Sequence, residues 1–220
     1  MGVNTMPEPL KSHWEALDEE TIWLHGRWKI YRQLFGTSPE RVELLNESAG
    51  AFFYIIQLVL IDNVQLTLSK LADRPTIAGR QNLTLESLLN DISQLGDAIL
   101  SKELAGKLVN YRQSCEKVIH RRNKQLAHYD LATLMAAKST PIPGPSRQEI
   151  EDALLTLRAF MNALQRNFTD AETAYSEFIL TTDGDLMLSI LKQGLRYQKL
   201  VDTGIVDWND LRQHSRHSGI

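Results

Sequence analysis

The chain has 220 residues, 43% of them apolar and 23% charged, which is ordinary globular usage and excludes a disordered, collagen-like or mucin-like class. A formal net charge of -3 excludes a protein that coats nucleic acid over its whole surface, so any phosphate contact must be local. The single cysteine, Cys115, excludes an intrachain disulfide and a multi-cysteine zinc site.

The N-terminal stretch "MGVNTMPEPLKSHWEALDEE" has no apolar segment after a basic start, so no signal peptide and a cytoplasmic location are expected. Prolines fall at 7, 9, 39, 75, 141, 143 and 145, leaving long proline-free stretches that favour helices, while strand signals are nearly absent. A first helix is expected from about Leu10 to Phe35, closing at Gly36. It carries His25 and three tryptophans, read as core or interface packing. Ser38 suits an N-cap and Pro39 the first helical position, so a second helix should run to about Leu71.

The middle of that helix, "AGAFFYIIQLVLI" at 49 to 61, is apolar almost all round. It is shorter than the roughly 20 residues a bilayer span needs, so it is expected to be a buried helix at the centre of a bundle, with no membrane partner. Asp62 and Asn63 follow it, either solvated or meeting the basic residues discussed below. The stretch "ADRPTIAGRQN", 72 to 82, reads as a loop, with Asp73 and Arg74 at a helix terminus rather than in a site. Thr84 caps a short third helix to about Gln94, and after Gly96 a fourth is expected from Asp97 to Met135. "KSTPIPGPS" is a linker. Ser146 and Glu149 then have capping-box spacing for a fifth helix to about Tyr175, and "TTDGD" leads into a sixth around Leu186 to Leu200. The sum is an all-α helical bundle of about five or six helices, as a single domain over residues 1–200 with a polar tail at 201–220.

No phosphate loop, dinucleotide fingerprint, His-Glu-x-x-His or Gly-x-Ser-x-Gly occurs, which argues against the common nucleotide hydrolases and zinc proteases. "HSRH", with His214 and His217, has metal-like spacing but no further obvious ligands, so neither a metal site nor a cofactor is expected. Cys115 has no nearby base and reads as a core residue.

One segment stands out. Arg112, Lys117, Arg121, Arg122 and Lys124 face the single acid Glu116, a local excess of four positive charges in a chain of negative total. At its end is His128, whose ordinary pKa of about 6.5 suits proton transfer near neutrality. An arginine and a histidine are the minimum equipment for cleaving RNA without a metal: the 2′-hydroxyl is the nucleophile, imidazole moves protons, and guanidinium stabilises the phosphorane charge. The plainer reading is a solvated helix face.

"RNKQLAHYDL", Arg122 to Leu131, resembles the Arg-x(4 to 6)-His motif of the HEPN superfamily (higher eukaryotes and prokaryotes nucleotide-binding), in which a polar residue often follows the arginine. "WLHGRWKIYRQLFGTSPERVELLNESAGAFFY", "LTLSKLADRPTIAGRQNLTLESLL" and "FTDAETAY" resemble its abortive-infection AbiU-type branch, so the likeness covers roughly residues 20 to 180. The resemblance implies a HEPN-like bundle that forms a homodimer with its motifs face to face, and metal-free RNA cleavage in phage-defence or toxin systems. It implies catalytic roles for Arg122 and His128 and a supporting one for Asn123. Asp130, within the same segment, is a further supporting candidate, while Arg121 and Lys124 are RNA-backbone candidates on charge alone.

Helical geometry leaves the arginine open. At about 100° per residue, Arg122 and His128 lie about 120° apart around an unbroken helix, whereas Arg121 and His128 differ by only about 20°. The family pattern favours Arg122, an ideal helix Arg121. The expectation is an RNA endonuclease or RNA-binding protein; the alternative is a non-catalytic helical dimerisation protein that binds an antitoxin or another protein partner.

Overall fold

The computed structural model of the chain describes residues 6–126 and 144–206. Among these the chain is all-α, with seven helices: α1 (Leu10–Tyr31), α2 (Pro39–Leu71), α3 (Leu85–Gln94), α4 (Ala98–Ser114), α5 (Glu116–Arg121), α6 (Arg147–Thr169) and α7 (Gly184–Asp202). Several starts are set by side chains that accept from otherwise orphaned N–H groups. Thr84 accepts from Ser87 N, whose hydroxyl in turn takes the Thr84 N–H. Asp97 accepts from Leu100 N, and Asp183 from Leu186 N. Ser146 and Glu149 form the reciprocal box expected of them.

Three boundaries depart from the sequence reading. Residues 72–82 are not wholly loop: Thr76–Ile77 and Arg80–Gln81 form a minimal antiparallel hairpin, its turn held by Ala78 and Gly79 at positive φ. The expected fourth helix breaks at Cys115, whose φ of -93° and ψ of 0° leave the helical range. Just before it, the Ser114 hydroxyl donates to Tyr111 O at 2.8 Å, a back-bond that bends helices. The chain restarts as α5 and widens into a π-helical turn, Arg122–Leu126; the expected continuation to Met135 lies outside the described residues. The expected fifth helix stops at Thr169 instead of Tyr175, because Asp170 turns left-handed at φ 48° and Asn162 brackets Thr173 from both sides, accepting from its N–H and donating to its carbonyl. Tyr175 falls in a short 3-10 turn.

The chain divides into two compact units. The first holds residues up to Trp28 and from Leu60 to Ile179. Its core follows helical spacing: Ile150, Leu154, Leu157, Met161 and Leu164 on α6, and Leu100, Leu104, Leu108 and Tyr111 on α4, are buried stripes three or four residues apart. Leu85, Leu88 and Ile92 add the inner face of α3, and Val64, Leu68 and Leu71 that of the end of α2. Truncating one of the fully buried leucines, such as Leu104 or Leu157, costs about 2–5 kcal/mol.

The second unit, Lys29–Val59 with the segment after Leu180, has a smaller core of Leu34, Leu45, Phe53 and Leu188. Gln33 joins its two segments by donating to Asp183 at 2.7 Å and accepting from Gly184 N at 3.0 Å. Here the expectation of a buried central helix is overturned. Over 51–59 only Phe53 is buried, and Phe52, Tyr54, Ile55, Leu58 and Val59 are exposed. By length and composition α2 is apolar enough to cross a bilayer, with an 18-residue window of mean hydropathy 1.6 that is only 11% buried. All-round apolarity reports a need for cover, and among the described residues of this unit little of the chain gives it.

Candidate functional site

The motif arginines belong to the first unit, at the junction of α5 with the π turn. Arg122 meets Asp73, just past the end of α2, through a two-pronged pair: Nη1 donates to Oδ2 at 2.9 Å and Nη2 to Oδ1 at 2.7 Å. The two side chains are 17% and 20% exposed, so the pair is shielded and its loss would leave a poorly hydrated charge. Arg122 Nε is buried and meets no acceptor among the described residues. Arg121 reaches the middle of α2, donating to Asp62 at 3.1 Å. That contact is one-pronged, to a carboxylate 39% exposed, and is the weaker of the two.

Asp73 is itself fixed by α4. Arg112 donates from Nε to Ala72 O at 3.0 Å and from Nη2 to Asp73 O at 3.4 Å, and its Nη2 also meets the Glu86 carboxylate on α3. Tyr111, fully buried, donates to Leu68 O at 2.7 Å. Carbonyls at and beyond the C-terminus of a helix lack intrahelical donors and carry its negative pole, so a phenol and a guanidinium are well suited to receive them.

The basic segment is therefore not a free positive patch. Among the described residues, at least four of its five cations pair with carboxylates from elsewhere: Arg112 with Glu86, Lys117 with Glu149, Arg121 with Asp62 and Arg122 with Asp73. Lys117, donating to Glu149, holds that carboxyl down at about 2. The local excess counted along the sequence is largely balanced in space. Asp62 proves to be a partner of the motif, and Asp73 is both helix terminus and partner. Glu86 and Glu149 were missed, since no sequence signal links them to arginines or lysines 26 to 32 positions away.

Of the other expected site residues, Asn123 is exposed on the π turn and Lys124 half-buried beside it. His128 and Asp130 lie outside the described residues, as do His214 and His217 and the tail from 207. The backbone bends where the two arginine readings diverge: α5 ends at Arg121 and the wider turn starts at Arg122, so the unbroken-helix register that favoured Arg121 does not apply across 122–126. Cys115 is buried and its thiol pushed up to about 11 by that burial, which fits packing rather than nucleophilic work.

Two other places carry polar side chains in depth. In the first unit, His25 is buried as a neutral ring: burial lowers its pKa to about 4, Nδ1 donates to Thr21 O at 2.8 Å, and Nε2 accepts from Arg158 at 3.2 Å. In the second, a groove of about 840 Å³ between α2 and α7 carries Arg41 and Lys199, but these pair with Asp185 and Glu47 on its own walls. Neither place includes a motif residue.

A family model described as HEPN_AbiU2, AbiU2, matches residues 7–184. No curated protein and no solved structure matches the chain.

Proposed function

Since this chain belongs to the AbiU2 family of HEPN proteins, we propose that it is a metal-independent RNA endonuclease, or an RNA-binding relative, that works as a homodimer in the cytoplasm in phage defence or a toxin system. The observation that carries the reading is Arg122: the arginine of the family motif is held at the start of a π turn by a two-pronged carboxylate pair. π turns interrupt helices frequently at functional sites.

In this reading the RNA 2′-hydroxyl attacks the adjacent phosphorus as His128 takes or delivers a proton, and the bond to the 5′-oxygen breaks. Arg122 faces the charge that builds on the phosphorane oxygens. The products are a 2′,3′-cyclic phosphate and a 5′-hydroxyl. Asn123 and Asp130 support the site, while Arg121 and Lys124 contact the RNA backbone. An antitoxin or other protein partner would restrain the activity.

The test is cleavage of an RNA oligonucleotide by the purified full chain in excess chelator, with the ends identified by mass. Cyclic phosphate ends from the wild type and none from His128→Ala support the reading. A wild type that cuts nothing, with cellular toxicity unchanged by His128→Ala, overturns it.

A second reading is favoured by α2, whose exposed Phe52, Tyr54, Ile55, Leu58 and Val59 form an uncharged face of the kind that marks protein association. The chain would then be a non-catalytic interaction protein. Arg122→Ala would change its association in light scattering, and its RNA affinity would be negligible even at low salt.

A further inference from the structure

The end of α2 is held by side chains that the motif does not contain, and what they hold is the carboxylate that grips Arg122. Glu86 on α3 pairs with Arg112 on α4; Arg112 takes the carbonyls of Ala72 and Asp73; the Asp73 carboxylate takes both terminal nitrogens of Arg122. We propose that this relay, Glu86 to Arg112 to Asp73, is the positioning device of the motif arginine, with Asp73 as its positioning residue. The proposal rests on the RNA-cleaving reading above.

Donor arithmetic shows what the relay accomplishes. A guanidinium has five N–H bonds in one plane. Asp73 uses one from each terminal nitrogen, and the Nε hydrogen is buried with no acceptor among the described residues. Among the described residues, one hydrogen on each terminal nitrogen is left for a phosphate oxygen. The two-pronged grip also fixes the plane of the group, because rotation about its last torsion would break both bonds to Asp73. Arg122 is thus presented with its orientation set before RNA arrives, which is where a catalytic cation gains most over one that must be ordered during the reaction.

Arg112 gives the carboxylate a fixed origin. Asp73 lies past the last turn of α2, where a chain end frays unless its carbonyls find donors. A guanidinium bridging two successive carbonyls, itself anchored on Glu86, removes that freedom. A purely structural salt bridge would need only charge at Asp73; a positioning one needs charge and reach together.

The experiment is steady-state RNA cleavage by the full chain in excess chelator, comparing wild type, Asp73→Asn, Asp73→Glu and Arg112→Lys, each checked for a cooperative thermal melt. Asp73→Asn keeps the shape and removes the charge; kcat should fall by about 10- to 100-fold, the cost of a catalytic group misplaced by about an ångström, with KM within about twofold. Asp73→Glu keeps the charge but lengthens the reach, so it should recover only part of that loss, and Arg112→Lys should fall between wild type and Asp73→Asn. A folded Asp73→Asn with wild-type kcat, or a loss confined to KM, overturns the proposal. Where Asp73→Asn does not fold, Arg112→Lys decides: undiminished kcat overturns the relay. A wild type that does not cleave RNA removes the functional reading and this proposal together, whereas an active wild type with an equally active Asp73→Asn removes this proposal alone.

Discussion

Arg121 and Asp62 meet through one nitrogen and one oxygen at 3.1 Å, at a carboxylate that keeps 39% of its side chain in water. One residue further on, Arg122 binds Asp73 through two nitrogens and two oxygens at a site nearly closed to solvent. Removing the cation should therefore cost unequally. At Arg121 the lost pair leaves a hydrated carboxylate, and the loss of that pair alone in Arg121→Ala should lower stability by no more than about 1 kcal/mol. Arg122→Ala strands a shielded one and should cost about 3 kcal/mol. Urea denaturation of both variants checks the contrast, and equal midpoints would refute it.

The same pairing bears on RNA binding. Each phosphate neutralised on a single strand contributes a slope of roughly -0.7 to log K against log salt, so five free cations would give a steep dependence. With Arg112 and Lys117 matched to carboxylates and given no RNA contact, binding should follow a shallower slope of at most about three contacts, those proposed for Arg121, Arg122 and Lys124. Fluorescence anisotropy across a salt titration measures it. A slope fitting five contacts would mean that these pairs open when RNA binds.

Of this balance only Asp62 was offered by the sequence, as one of two alternatives; the reason the rest was invisible is geometric. Glu86, Asp62 and Asp73 lie 26 to 59 residues from the arginines they meet, so a charge sum over a local window saw only one side of each pair. Helix starts were legible because their chemistry is local: Ser146 with Glu149, and Thr84 as an N-cap, needed only three residues of context. Helix ends were less so. The stop at Thr169 depends on Asn162 catching the chain at Thr173 after it has turned, a contact that periodicity does not encode. The apolar run of α2 was read correctly as helix and wrongly as buried, because composition states that a surface wants cover and says nothing of whether its own chain provides it.

His25 should make stability pH-dependent in a defined window. Burial is the main cause of its lowered pKa, with the Thr21 hydrogen bond working against it and the Arg158 charge with it. In the unfolded chain the ring takes a proton near 6.5, whereas in the folded chain it resists protonation down to about 4. The neutral ring's contribution is thus fully present above pH 6.5 and is lost as pH falls toward 4, by about 3 kcal/mol in all. Asp18, whose carboxyl is raised by burial although Tyr175 donates to it, gains its proton more easily in the fold and partly offsets the loss at the acid end. Thermal melts from pH 7 to 4 should show a falling midpoint that is flatter in His25→Gln. An unchanged slope in that variant would assign the acid sensitivity elsewhere.

The exposed face of α2 gives the last prediction. Ile55 and Val59 are one turn apart, each 58% exposed, and make up much of its uncharged surface with Tyr54 and Leu58. A charge placed there meets water in the isolated chain, so Ile55→Glu should shift the melting midpoint by little, within about 0.5 kcal/mol of wild type. In an assembly that covers this face the same charge would be buried without a partner, at a cost large enough to dissociate it. Light scattering should accordingly find wild type larger than a monomer and Ile55→Glu reduced to one, at matched concentration and with matching circular dichroism. If Ile55→Glu keeps the wild-type mass, this face is not what joins the copies; if it also remains soluble and folded, the apolar surface of α2 tolerates water without cover.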